Sequence, residues 1–144
     1  MDVEWLILAD YAEVVGSKLY LMGGGWDILT VNSGFPIKHR CAVAASFRVP
    51  WNETNQRHNT EVEIATQDGR ILAKAGGQFE VGRPAGMPPG QDQRWQLALN
   101  VEMGIDQPGT FVIIARVEGQ EMARSHFTIV PGPMIRMQAE QRGA

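Results

Sequence analysis

The segment Trp51-Asn52-Glu53-Thr54-Asn55-Gln56-Arg57-His58 concentrates hydrogen-bonding side chains of several kinds beside an aromatic ring. Arg57 offers a planar fork suited to a carboxylate, Glu53 an acceptor, and Asn52 and Asn55 both donors and acceptors. Pro50 ends the preceding strand, so these side chains escape strand alternation and can converge on a partner from a loop. Trp51, Asn52, Glu53, Asn55, Arg57 and His58 are therefore the candidate binding residues. The same residue types also brace loops, because Asn, Thr and Glu bond to nearby backbone and a tryptophan can plug one end of a core. Both roles stay open from the sequence. Asn52-Glu53-Thr54 matches a glycosylation sequon, which has no meaning without a secretory route.

Other chemistry is sparse. Gly23-Gly24-Gly25 follows a strand but leads into Trp26-Asp27-Ile28-Leu29, with neither the lysine nor the helix of a phosphate-cradling loop, so the glycines mark a bulge or bend. His39, His58 and His126 lie far apart and form no metal-binding spacing. Asp10, Glu13, Asp27, Glu53 and Asp92 read as solvated surface acids. No Gly-x-Ser-x-Gly elbow is present, and Cys41 in mid-strand reads as a small buried hydrophobe. No catalytic set, metal or cofactor is expected. Among the four tryptophans, Trp95 is in phase with a core face and Trp5 lies in an apolar run, which leaves Trp26 and Trp51 as the better candidates for exposure as a ligand platform, although burial is the expectation for both.

Composition narrows the partners. The 144 residues are 44% hydrophobic and 20% charged, with a formal charge of −3, so the chain is neither disordered nor equipped to gather phosphates. Nucleic acid is not an expected partner, nor is insertion into a membrane, since no stretch approaches about 18 apolar residues. The Trp5–Ala9 run is too short and too acidic at its start for a signal peptide, and a single cysteine fits a reducing compartment, so a cytoplasmic location is expected.

The elements that would position these residues are strands. Trp95, Leu97, Leu99 and Val101 alternate with polar residues across 94–102, and Cys41, Val43, Ala45, Phe47 and Val49 do so across 40–50. On the other face of 40–50, small Ala42, Ala44 and Ser46 suggest a close approach. Hairpins are expected over 60–66 and 70–75 about Asp68-Gly69, and over 111–117 and 122–130 about Glu118-Gly119-Gln120. A third joins 3–12 to 18–23 through Val14-Val15-Gly16-Ser17, and a strand over 25–31 continues it. The Gly- and Pro-rich stretch 82–91 suits a crossover between sheets. The expected fold is all-β: a two-sheet antiparallel sandwich, Greek-key and immunoglobulin-like, of about seven to nine short strands. Residues 1–130 would form one domain, with 131–144 a short tail that is flexible or docked on a partner.

The stretches 2–13, 18–26 and 49–55, with Gly82-Arg83-Pro84, resemble a family of small bacterial proteins known only as a domain of unknown function. The resemblance runs from the N-terminus to about Val130. It implies a bacterial, stand-alone domain and transfers no site. The functional expectation is a non-enzymatic binding or assembly module, through self-association into a homo-oligomer or contact with another protein. The alternative is a small-molecule or carbohydrate binder, or an enzyme, with a site built from loops.

Overall fold

A computed structural model describes residues 1–143. Among these residues nine strands form: β1 (Asp2–Val15), β2 (Lys18–Gly24), β3 (Ile28–Val31), β4 (Ile37–Val49), β5 (Arg57–Thr66), β6 (Ile71–Glu80), β7 (Gln93–Ile105), β8 (Gly109–Val117) and β9 (Gln120–Pro131). They make a four-stranded sheet of order β2-β1-β4-β7 and a five-stranded sheet of order β3-β9-β8-β5-β6. The Gly/Pro-rich stretch carries the chain from β6 in the second sheet to β7 in the first. The all-β expectation holds.

The two sheets share one core because alternation turns one face of each inward. Leu8, Cys41, Val43, Met103 and Ile105 of the first sheet meet Val62, Ile64, Phe111, Ile113, Phe127 and Ile129 of the second. The phase of β4 and β7 follows the sequence reading: Cys41 lies opposite Val101, Val43 opposite Leu99 and Phe47 opposite Trp95. At one end Phe79 stacks on Trp95 with ring centroids 3.9 Å apart. Burial pushes the Cys41 thiol up to about 11, and the nearby Asp10 carboxylate adds to the rise.

Three expectations need correction. The sheets are not wholly antiparallel, because β3 pairs parallel with β9, Ile28 against Thr128 through Val31 against Pro131. Nor does 25–31 extend the N-terminal hairpin. The chain turns out of the first sheet at Gly23 (φ 60°) and Gly25 (φ 86°), and Trp26 then packs edge-on against Phe127 with centroids 5.9 Å apart, drawing β3 into the other sheet. Several strands are also long rather than short, β1 reaching 14 residues and β4 and β7 13 each.

The length of β1 reflects a change of partner. Residues Asp2 to Ala9 pair with β4, whereas Ala9 to Val15 pair with β2 alone. This distal ribbon folds over the outer face of the first sheet. Asn100 of β7 holds it by donating to the Ala12 carbonyl at 2.8 Å and accepting from the Ala12 amide at 3.3 Å, so a side-chain amide replaces a neighbouring strand. Gln96 donates to the Ser17 carbonyl at 2.9 Å. Between ribbon and sheet, Ala9 and Ala12 of β1 meet Ala42 and Ala44 of β4 in a buried alanine floor against which Leu19 and Ala98 pack. Methyl side chains permit this spacing, which is the close approach that the small residues of β4 suggested. The ribbon's turn is tight: Gly16 and Ser17 take φ of 58° and 63°, the pair of left-handed residues that matches strand twist.

After β9 an α-helix, α1 (Pro133–Gly143), carries the good helix formers of the tail. Its described side chains are exposed. No helix among the described residues is long and apolar enough to cross a membrane.

Candidate functional site

Pro50 halts β4, and Trp51–Glu53 form a single 3₁₀ turn whose Glu53 amide donates to the Pro50 carbonyl at 2.9 Å. The Thr54 hydroxyl donates to the Trp51 carbonyl at 2.7 Å, closing the turn. Asn55 takes a left-handed φ of 59°, a conformation asparagine tolerates better than most residues. Its amide donates to the Val81 carbonyl at 2.7 Å, tying the turn to the start of the crossover.

Arg83 from that crossover lies over the turn. Its guanidinium carbon sits 3.9 Å from the Trp51 ring centroid, its Nε donates to the Thr54 hydroxyl at 2.7 Å and its Nη2 to the Trp51 carbonyl at 2.8 Å. The tryptophan face is thus covered by a cation of the same chain.

The expected loop is shorter than its eight residues, because Arg57 and His58 are the first residues of β5, opposite Glu80 and Phe79 of β6. The pairing continues this far because β6 runs through Gly76 and Gly77. A side chain at Gly76 would place its β carbon 2.9 Å from the Thr60 carbonyl oxygen, so glycine there permits the strand rather than breaking it. His58 is buried. Its Nε2 lies 2.8 Å from the Glu53 carbonyl oxygen, its ring packs on Phe79 at 5.3 Å, and its Nδ1 is 3.9 Å from the Glu118 carboxylate. Glu118 accepts from the Asn59 amide at 2.8 Å and from the Asn59 side chain at 3.1 Å. These bonds hold its carboxyl below the usual range, and the neighbouring imidazole adds to the effect.

The six candidate residues therefore divide. Trp51, Glu53 and His58 are engaged within the chain, Glu53 by the Met1 ammonium at 3.3 Å. Asn52, Asn55 and Arg57 are exposed, and the Arg57 guanidinium has no carboxylate partner among the described residues. Beside them lies a concavity of about 490 Å³ lined by Glu53, Gln56, Arg57, His58, Glu118 and Met122, among others. Among the described residues no three His, Cys, Asp or Glu side chains gather where they could hold a metal.

A second surface lies on the ribbon. Tyr11, Glu13 and Val15 of β1 stand opposite Met22, Tyr20 and Lys18 of β2, so all six share one face. That face looks away from the alanine floor and leaves Tyr11 46%, Val15 51%, Tyr20 55% and Met22 67% exposed. Sequence reasoning located the hairpin but not this surface. Both faces of the ribbon are largely apolar, Ala12, Val14, Leu19 and Leu21 on one and Tyr11, Val15, Tyr20 and Met22 on the other, so alternation could not say which is covered.

The architecture defines a class before it defines a family: an all-β protein of two sheets, one of them mixed, with a strand ribbon folded over an alanine floor. Residues 4–130 match the family of unknown function DUF6941, and the chain belongs to that family. The match ends at Val130, so β9 is inside it to that residue and α1 lies outside. A comparison with curated proteins yields no match.

Proposed function

We propose that this protein is a non-enzymatic binding or assembly module that contacts another protein chain through the outward face of the β1–β2 ribbon. The observation that carries the reading is the grouping of Tyr11, Val15, Tyr20 and Met22 on one exposed face. Scattered apolar residues are ordinary on a surface, whereas a contiguous patch containing two tyrosines and a methionine is what protein interfaces favour. The reading takes residues 1–130 as one sandwich domain with Greek-key wiring and 131–144 as its tail, in a bacterial, cytoplasmic protein. Support comes from the core that both sheets share and from the extent of the family match.

The test is cross-linking with mass spectrometry in native-host extract, on the wild type and on a Tyr11→Ser/Tyr20→Ser/Met22→Ser variant. Cross-links from the ribbon to a protein chain should vanish in the variant while its melting temperature holds. Cross-links that persist unchanged would overturn the reading. A second reading rests on the concavity beside Arg57: a small-molecule or carbohydrate binder that uses the free guanidinium, with Asn52 and Asn55 on its rim. Its mark is a ligand-induced rise in melting temperature that Arg57→Ala abolishes.

A further inference from the structure

We propose that the free edge of β2 pairs with β2 of a second copy of this chain, antiparallel and centred on Tyr20. This deepens the assembly reading and rests on it.

The backbone of the ribbon fixes which groups are available. A two-residue turn between Val15 and Lys18 makes that pair, and then Glu13 with Tyr20 and Tyr11 with Met22, the pairs that exchange both backbone hydrogen bonds. Leu19 and Leu21 fall between them, so their N–H and C=O groups point away from β1. Among the described residues β1 is the only strand beside β2, and the edge opposite is open. Pairing about Tyr20 sets Leu19 against Leu21 of the second copy and Leu21 against Leu19 of the second copy. Both members of each pair present an outward donor and acceptor, so the register closes four backbone hydrogen bonds.

The side chains agree with this register. Tyr20 faces its own equivalent at a non-hydrogen-bonded pair, the closest spacing in an antiparallel ladder. Lys18, the one charged residue of β2, falls opposite Met22 of the second copy rather than opposite another lysine. Beside that Met22 lies Tyr11, whose hydroxyl donates to Glu13 at 3.3 Å, which puts that carboxylate two strands away from Lys18 of the first copy. The surface is self-complementary, as a two-fold contact requires. Edge strands of soluble proteins are usually guarded by prolines, several charges or brevity; β2 has no proline and a single charge, while β3 spans only four residues and β6 lies against β7 through Phe79 and Trp95.

Single-cysteine additions read the register directly. Cys41 does not compete, being buried with its thiol pushed up to about 11. Tyr20→Cys should join two copies under mild oxidation, since a non-hydrogen-bonded pair holds its Cα atoms about 4.5 Å apart, inside the disulfide range. Lys18→Cys and Met22→Cys should each stay single on their own and join when mixed. Tyr20→Cys that remains monomeric, or three variants that cross-link alike, would overturn the proposal. If Tyr20→Cys stays single while the triple serine variant still loses cross-links to a different protein, self-pairing falls and the assembly reading stands. If neither substitution changes anything, both fall.

Discussion

In the Trp51–His58 segment a dense set of polar groups bonds mostly to its own chain, whereas the β1–β2 ribbon has few polar side chains and turns its apolar ones outward. Thr54, Glu53, His58 and Arg83 between them tie one turn to the crossover and to β5. Asn100 and Gln96 do the converse: two amide side chains grip the ribbon's backbone from below, leaving its upper face uncovered. Polar density in a sequence therefore signals local geometry as readily as recognition. An element laid on small residues buries Ala12 at the contact and has nothing left to cover its other face.

The sharpest way to break that contrast is to raise the floor. Ala44→Leu places a branched side chain beneath the ribbon, where Ala44 is wholly buried, and should cost about 3 kcal/mol in denaturant unfolding, overpacking that the sheet can relieve only by lifting the ribbon. Deuterium uptake over 10–22 should rise in the same variant while 110–117 stays protected. Removing the grip is gentler: Asn100→Ala leaves both backbone groups of Ala12 without their partner and should cost about 2 kcal/mol.

In the turn, Arg83→Ala removes the stack on Trp51 and two hydrogen bonds at an exposed site, an expected loss of about 1 kcal/mol by the same measurement. Arg57→Ala should leave the melting temperature unchanged. An Arg57 variant that melts as early as the Arg83 variant would erase the division drawn between engaged and free residues. The smallest expected effect is in pH. The folded Glu118 carboxyl lies below its ordinary 4.5, so its contribution is present above that value and is lost as the pH falls through the folded one. Glu118→Gln should therefore lower stability at pH 7 and flatten the acid limb of the profile, the difference from wild type shrinking as the pH falls below about 4.5.

Local patterns carried much of this into the sequence. The β5–β6 and β8–β9 hairpins follow from Asp68-Gly69 and Glu118-Gly119, and the inward phase of β4 and β7 from strict alternation. Ala42 and Ala44 announced a close approach without saying what approaches. What the sequence withheld depends on distant partners. Nothing near Ile28 indicates that it will lie beside Thr128. Gly76 and Gly77 look like breakers until Thr60 is brought against them, and Arg57 and His58 look like loop until that extension of β6 pairs with them. The exposed face of the ribbon stayed hidden for the same reason, since the groups that hold its other side down, Ala42, Ala44, Gln96 and Asn100, are distant in sequence.

The parallel pairing of β3 with β9 also sets a timetable for synthesis. Ile28 leaves the ribosome a hundred residues before Thr128, so the nascent chain carries Trp26 and β3 without their neighbours until nearly the whole family region has been translated. Between those moments an unpaired strand and an aromatic meant for the core are open to other chains, the period in which a slow-forming, non-local β fold is most prone to aggregate. Chaperone demand during translation should thus follow the sequence separation between β3 and β9 rather than the stability of the finished protein.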